Sequence, residues 1–232
     1  EQWPGVDLRF GWKVERVDQD EHGVRLRAVE LESGRASDFA ADYAVGCDGS
    51  RSLVREALGV RYEGIGAEDR EFMGGRMLAA HLSALAFYDI VRARSWQYWA
   101  MNRARFGVMV AIDGKARFVF HSQLPHGARG SIDYARESIA LATGREFPYE
   151  ILGIQEWTAG FTLVAERYAA RRIFLAGDAA HLFTPTAGQG YNTSVDDAVN
   201  LGWKLAAVCR GWGGPKLLET YETDRKPIGH RN

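Results

Sequence analysis

Residues 172–192 read RIFLAGDAAHLFTPTAGQGYN, and the fold turns on them. Arg172-Ile173-Phe174-Leu175-Ala176 is a short, continuously apolar run, the pattern of a buried strand, and it ends at Gly177-Asp178. A loop rich in Thr, Pro and Gly follows, and a long helix is expected from about Gly190 to Arg210. Its apolar positions Val195, Ala198, Val199, Gly202, Leu205, Ala206 and Cys209 recur at the i, i+3, i+4, i+7 spacing of one buried face. Asp196 and Asp197 in the early turns, and Lys204 and Arg210 towards the end, suit the helix dipole. The stretch therefore sets a carboxylate at a strand end and a glycine-rich turn before a helix. The free N–H groups of such a helix favour an anion by roughly 0.3–1 kcal/mol.

A second unit of the same kind lies upstream. Tyr43-Ala44-Val45-Gly46-Cys47 is again short and apolar, ends in Asp48-Gly49-Ser50, and leads into a helical stretch Arg51–Leu58. Buried parallel strand, tight turn and helix are the parts of a doubly wound sheet. Glycines at such a junction let the backbone approach a ligand closely, and an Asp at the carboxyl end of a parallel strand sits where these sheets bind ligands. The plainer alternative is an Asp-Gly turn with Ser50 capping the helix.

Around these units the pattern changes. Residues 6–17 and Val24–Leu31 alternate apolar and polar about a turn at Gln19–Gly23, as an antiparallel hairpin does, with Glu32-Ser33-Gly34 as the next turn. Residues 70–125 hold the aromatic-rich strand candidates Arg94–Met101, Phe106–Ile112 and Ala116–Leu124, the last two joined at Asp113-Gly114-Lys115. Ser131 is placed to cap a helix running to about Ala142, and Glu150–Val164 is extended again. A last helix, Lys216–Lys226, is expected to end at Pro227. The expected division is 1–66 and 161–232 for one α/β domain, with 67–160 as an inserted, mostly antiparallel β domain.

Composition narrows the function. With 46% hydrophobic and 25% charged residues, the 232-residue chain is globular. A net charge of −1 supplies no field for nucleic acid. Cys47 and Cys209 have no metal-ligand or disulfide spacing and are expected to be reduced, buried packing residues. The six histidines lack ligand spacing, so no metal site is expected. No apolar run approaches the roughly 18 residues of a membrane span, and a cytoplasmic setting is the default expectation.

The chemistry points to one cofactor class. A carboxylate accepts hydrogen bonds from polyol hydroxyls, and a helix N-terminus favours a phosphate or an electron-accepting ring. Polyol, phosphate and ring together describe a flavin dinucleotide. At residues 46–55 and 172–205 the sequence resembles the FAD-dependent aromatic hydroxylases related to para-hydroxybenzoate and phenol hydroxylases, through their Asp-Gly and Gly-Asp motifs. The resemblance implies a partial doubly wound, Rossmann-like FAD-binding domain with an inserted β substrate domain. It implies that Asp178 bonds the ribityl chain of FAD, with Gly177 near the pyrophosphate, and that Pro185 lies against the isoalloxazine. Gly188, Gln189, Gly190, Tyr191 and Asn192 would present N–H groups to the flavin pyrimidine, and Asp48 and Gly49 would organise the pyrophosphate region. It further implies that NAD(P)H reduces FAD, that O₂ adds to give a flavin hydroperoxide, and that a phenolic or polycyclic aromatic substrate is hydroxylated. Epoxidation or simple oxidation on the same scaffold is the nearest alternative. No catalytic residue is singled out, and self-association is left open.

Two departures bear on this. Thr184-Pro185-Thr186-Ala187-Gly188 carries Thr and Ala where the family often has Pro and Gly. No strand followed by GxGxxG is present: Gly64-Ile65-Gly66 lacks the third glycine, and Gly211-Trp212-Gly213-Gly214 follows a helix. The chain begins with Glu1, and a fragment lacking a first βαβ unit of at least roughly 30 residues is expected, with an inactive or non-FAD-binding piece as the non-enzymatic alternative. Trp96 and Tyr98 are expected on one sheet face and Trp99 on the other, as pocket lining or as core. His81 and His121 are candidate acid-base groups, although structural roles are commoner. His181 is expected to stabilise its turn, and Trp203 and Tyr221 to pack.

Overall fold

The computed structural model describes residues 4–66, 74–185 and 188–232. The chain divides into two compact units, Glu1–Gly64 with Thr162–Asn232, and Ile65–Phe161. The first unit opens with an antiparallel meander of β1 (Trp12–Gln19), β2 (Val24–Glu30) and β3 (Ala36–Ala41). The Asp20 carboxylate accepts the N–H groups of His22 and Gly23 and so closes the first turn. The strand expected from residue 6 starts only at Trp12, after Gly11 turns at φ 73°. A third strand, ASDFAA, was not expected because its alternation is weak. Next come β4 (Ala44–Gly46), the short helix α1 (Leu53–Ala57) and β5 (Tyr62–Ile65). The capping residue of α1 is Ser52, which accepts the Arg55 N–H, and not Ser50.

The second unit holds β6 (Gly75–Ser83), α2 (Phe87–Ile90), β7 (Gln97–Met101), β8 (Phe106–Ala111), β9 (Arg117–Gln123), α3 (Ile132–Thr143) and β10 (Glu150–Ala159). Its five strands form one antiparallel sheet in the order β10-β6-β9-β8-β7. The interior strand β6, between β10 and β9, was not singled out in the sequence. Alternation divides the sheet cleanly. Leu78, Ala80, Leu82, Met109, Phe118 and Phe120 pack with Ala135, Ile139 and Ala142 of α3. Tyr98 joins them, edge-on to Phe87 at 5.0 Å. Met77, Val108, Phe106, Val110 and Trp157 cluster on the opposite face. Ser131 caps α3 by accepting the Tyr134 N–H, and Asp113 closes the β8–β9 turn by accepting three successive N–H groups.

The chain then returns to the first unit through β11 (Thr162–Ala165), β12 (Ala169–Ala170), β13 (Ile173–Leu175) and β14 (His181–Phe183). β13 lies between β12, antiparallel, and β4, parallel, with Ala44 opposite Ile173 and Gly46 opposite Leu175. Helices α4 (Gln189–Cys209) and α5 (Lys216–Arg231) complete the unit.

Four expectations are corrected here. The buried face of α4 is Thr193, Asp197, Leu201, Lys204 and Ala207, while Val195, Val199 and Trp203 are 44%, 66% and 46% exposed. The polar residues turn inward because α5 supplies their partners: Arg225 for Asp197 and Asp224 for Lys204. α5 does not stop at Pro227, since Arg225 and Asn232, which bonds Thr193, hold its last turns against α4. Cys47 and Cys209 are exposed rather than buried. β4 is only partly covered, with Val45 39% exposed. Among the described residues, no helix is long and apolar enough to cross a membrane.

Candidate flavin site

The parallel pairing of β4 with β13 brings the two Asp-bearing turns to the same end of one sheet. Gly46 O accepts the N–H of Ala176, so Cys47-Asp48-Gly49 and Gly177-Asp178 leave adjacent strands side by side. That is the carboxyl edge at which open parallel sheets bind ligands.

The two carboxylates do different work. Asp48 is engaged locally: its Oδ1 accepts the Ser52 hydroxyl and its Oδ2 accepts the Val54 N–H at 3.1 Å. It caps α1 and fixes the loop, while Gly49 supplies the left-handed φ of 81° that the turn needs. Asp178 is exposed between buried Gly177 and Ala179 in a tight 3₁₀ turn, so only its side chain leaves the core there.

Arg55 ties the turns together. This 7% exposed guanidinium donates to Ser50 O at 3.1 Å, to Ala179 O at 3.4 Å and to the Tyr62 hydroxyl at 2.7 Å. Tyr62 in turn donates to the Asp178 carbonyl. Burial pushes the Tyr62 phenol up to about 12, against a smaller lowering by Arg55.

Behind the second turn lies a buried ionic cluster. Asp197, fully buried, accepts from Arg225 Nε at 2.7 Å and from Gly177 N at 3.1 Å, and its Oδ2 lies 2.7 Å from His181 Nε2. Tyr221, also fully buried, donates to Leu175 O at 2.8 Å. His181 is thus a structural partner of the turn and not a solvent-facing base. Gly177 adopts φ 62°, and a Cβ there would meet Ser194 Oγ at 3.1 Å.

Beyond the turn, α4 presents its N-terminus. Gly188 starts it at φ 68° with no side-chain cap, and the side chains of Asn192, Thr193 and Ser194 bond backwards to the carbonyls of Gly188, Gln189 and Gly190. Among the described residues, no side chain caps the N–H groups of this first turn. Gly190 has open space where a Cβ would stand; Pro185, Gln189, Tyr191 and Asn192 are exposed. The altered Thr186 and Ala187 lie outside the described residues.

The structure therefore brings Gly177 and Asp178 to the sheet edge that also carries Asp48 and Gly49, and it sets Gly188 to Asn192 on the start of one long helix. Arg55, Tyr62, Asp197 and Arg225 were missed as contributors. Arg55 stood in the quoted motif, and a buried arginine there was a usable signal. The other three act through contacts between distant segments and left no local mark.

A family model described as an FAD binding domain matches residues 1–232. Rifampicin monooxygenase of Streptomyces venezuelae is 36% identical over 97% of this chain and 45% of its own length. The structure of the flavin-dependent monooxygenase PieE with FAD and substrate superposes with a TM-score of 0.85, at 30% identity, over 96% of this chain and 39% of that one. Aklavinone-11 hydroxylase with FAD and aklavinone gives a TM-score of 0.84 at 32% identity, over 95% and 42%. The chain spans 36–47% of the length of the curated relatives it matches.

Proposed function

Because the chain belongs to the FAD-binding-domain family of flavoprotein monooxygenases, we propose that it forms the flavin- and substrate-binding portion of an FAD- and NAD(P)H-dependent enzyme that uses O₂ to hydroxylate a phenolic or polycyclic aromatic compound. One observation carries this reading: two Asp-bearing turns share the carboxyl edge of a parallel strand pair, and an uncapped helix start follows the second. The residues fit the cofactor chemically. An exposed carboxylate suits ribityl hydroxyls, a glycine-lined turn admits close backbone approach, and unpaired N–H groups suit an anionic ring edge. Bound FAD would supply the electron transfer and oxygen chemistry that no side chain here can supply.

The protein's own part is binding and charge placement. Asp178 would accept hydrogen bonds from the ribityl chain. The N–H groups of Gln189, Gly190, Tyr191 and Asn192, preceded by Gly188, would stabilise negative charge on the pyrimidine edge, and Pro185 would pack against the ring. Asp48 would act by holding the shape of its loop, because its oxygens are already bonded to α1, with Gly49 giving the backbone access to the pyrophosphate. Relatives named for aromatic and polycyclic compounds, such as pentachlorophenol 4-monooxygenase and aklavinone-11 hydroxylase, support the substrate class.

Titration of the purified chain with FAD tests the proposal. The flavin spectrum is expected to shift on binding, and Asp178→Ala is expected to weaken binding by about tenfold, the effect of roughly 1.4 kcal/mol of hydrogen bonding to a charged group. Unchanged affinity in that variant would remove Asp178 from the site. A total lack of binding would favour the reading of an inert piece. Substrate-dependent NAD(P)H oxidation in the full-length enzyme, with an oxygen added to the product by mass, separates hydroxylation from plain oxidation.

A further inference from the structure

One cavity lies wholly inside the second unit, on the sheet face that packs α3. It holds about 450 Å³, within the roughly 300–1,000 Å³ of small-molecule sites. Its walls come from α2 and the residues that follow it, from β7, β8 and β9, and from the end of α3. Phe87, Met109 and Phe120 line it and are only 2–3% exposed, so its interior is apolar. Every wall belongs to the second unit, so the cavity exists whether or not the first unit holds FAD.

The polar lining is of one sign. Arg92 is the single charged residue on it, and no carboxylate lines the cavity. The guanidinium has no ion pair or hydrogen bond among the described residues. Two hydroxyl donors share the lining with it. Tyr98 accepts the Ser95 N–H at 2.6 Å, which holds the two residues together and leaves the phenol's own proton free to donate. The end of α3 reaches the wall at Ala142, but the Asn102 amide donates to the Leu141 and Ala142 carbonyls and blunts the negative end of that helix.

That combination selects a ligand class. An apolar interior rewards burial of a hydrocarbon body, and a lone guanidinium with hydroxyl donors rewards one anionic group of acceptor oxygens. A neutral alcohol would bury the same body and leave Arg92 without a counter-charge. A phosphate or a dicarboxylate would bring more charge than one guanidinium answers. We propose that this cavity is a second ligand site, separate from the flavin edge, for an apolar monocarboxylate the size of a medium-chain fatty acid, with Arg92 as its counter-charge.

Isothermal titration of the chain with octanoate and with 1-octanol, which has the same chain and no charge, tests the site. Octanoate is expected to bind at least about tenfold tighter, the preference owed to hydrogen bonds with a charged partner. Arg92→Leu is expected to bring octanoate down to the affinity of the alcohol, and Arg92→Lys, which keeps the charge, to retain part of the preference. Ala100→Phe, which fills the cavity from β7, is expected to weaken both ligands by at least about tenfold. Arg92 is exposed, so its variants are expected to keep the urea midpoint of the parent and to report on binding alone. Equal affinities of the two ligands for the unaltered chain, a preference that survives Arg92→Leu, unchanged octanoate binding in a folded Ala100→Phe variant, or no binding of either ligand would overturn the proposal.

Discussion

Asp197 is the residue on which the flavin turn leans. Its two oxygens receive Arg225 Nε and Gly177 N and adjoin His181 Nε2, and neither Asp197 nor His181 has any exposed surface. Removing the carboxylate would strand the Arg225 guanidinium in a dry site. The neighbouring Asp196, 3.8 Å from Arg225 and largely exposed, is too far and too solvated to replace it. Loss of one member of a buried ion pair costs about 3–5 kcal/mol. Asp197→Ala is therefore expected to lower the unfolding free energy in urea by about that amount, and Asp197→Asn, which keeps one acceptor, by less. Since the same carboxylate fixes Gly177, the Ala variant is also expected to lose flavin affinity at denaturant-free pH 7. An Ala variant as stable as the parent would show that the cluster is dispensable.

At the scale of elements, α4 shows where reading a sequence stops. The units that end in Asp48 and Asp178 were legible because short apolar runs bounded by Asp-Gly or Gly-Asp specify strand, turn and helix within about ten residues. The second unit's sheet was legible in outline from the strands around Asp113 and from the capping Ser131. The orientation of α4 was not. Its apolar stripe has helical spacing, and so does the set Thr193, Asp197, Leu201, Lys204 and Ala207; only the partners on α5 decide which set goes inside. Lys204 is 1% exposed and bonds Asp224, whose carboxyl is held below its ordinary range by that bond first and by Asn200 second. Tyr62 escaped for the same reason, because the Asp178 carbonyl it bonds lies 116 residues away. A pair of substitutions tests the orientation. Val199→Gln is expected to change the stability of the chain by less than about 0.5 kcal/mol, as at other exposed sites. Leu201→Ala, two residues on, is expected to cost about 2–5 kcal/mol. Equal losses from the two would mean that the helix is turned the other way.

For the whole molecule, the titrating groups set a stability plateau with a defined edge on each side. On the acid side, His121 is lowered from 6.5 by burial and by His81. The unfolded chain then binds more protons than the fold, so this contribution is complete above pH 6.5 and is lost as pH falls below it. Asp224, lowered by its bond to Lys204, and Glu156, lowered first by the Gly130 N–H and then by Arg76, act the same way further down. Their contributions hold above ordinary values of 3.8 and 4.5 and vanish as pH drops through the depressed ones. On the alkaline side the sign reverses. Burial raises Tyr62 from 10.0 to about 12, and it raises Tyr168 and Tyr221 as well. The unfolded chain releases these protons first, so the stability held below pH 10 declines as pH climbs from there towards 12. Urea midpoints followed by circular dichroism are thus expected to be flat between about pH 7 and 9, to fall in two stages on acidification, and to fall again above about pH 10. His121→Asn is expected to remove the first acid stage alone, and Tyr62→Phe to soften the alkaline limb. A midpoint that stays constant from pH 7 to 5 in the parent chain would mean that His121 is not held neutral on its sheet face.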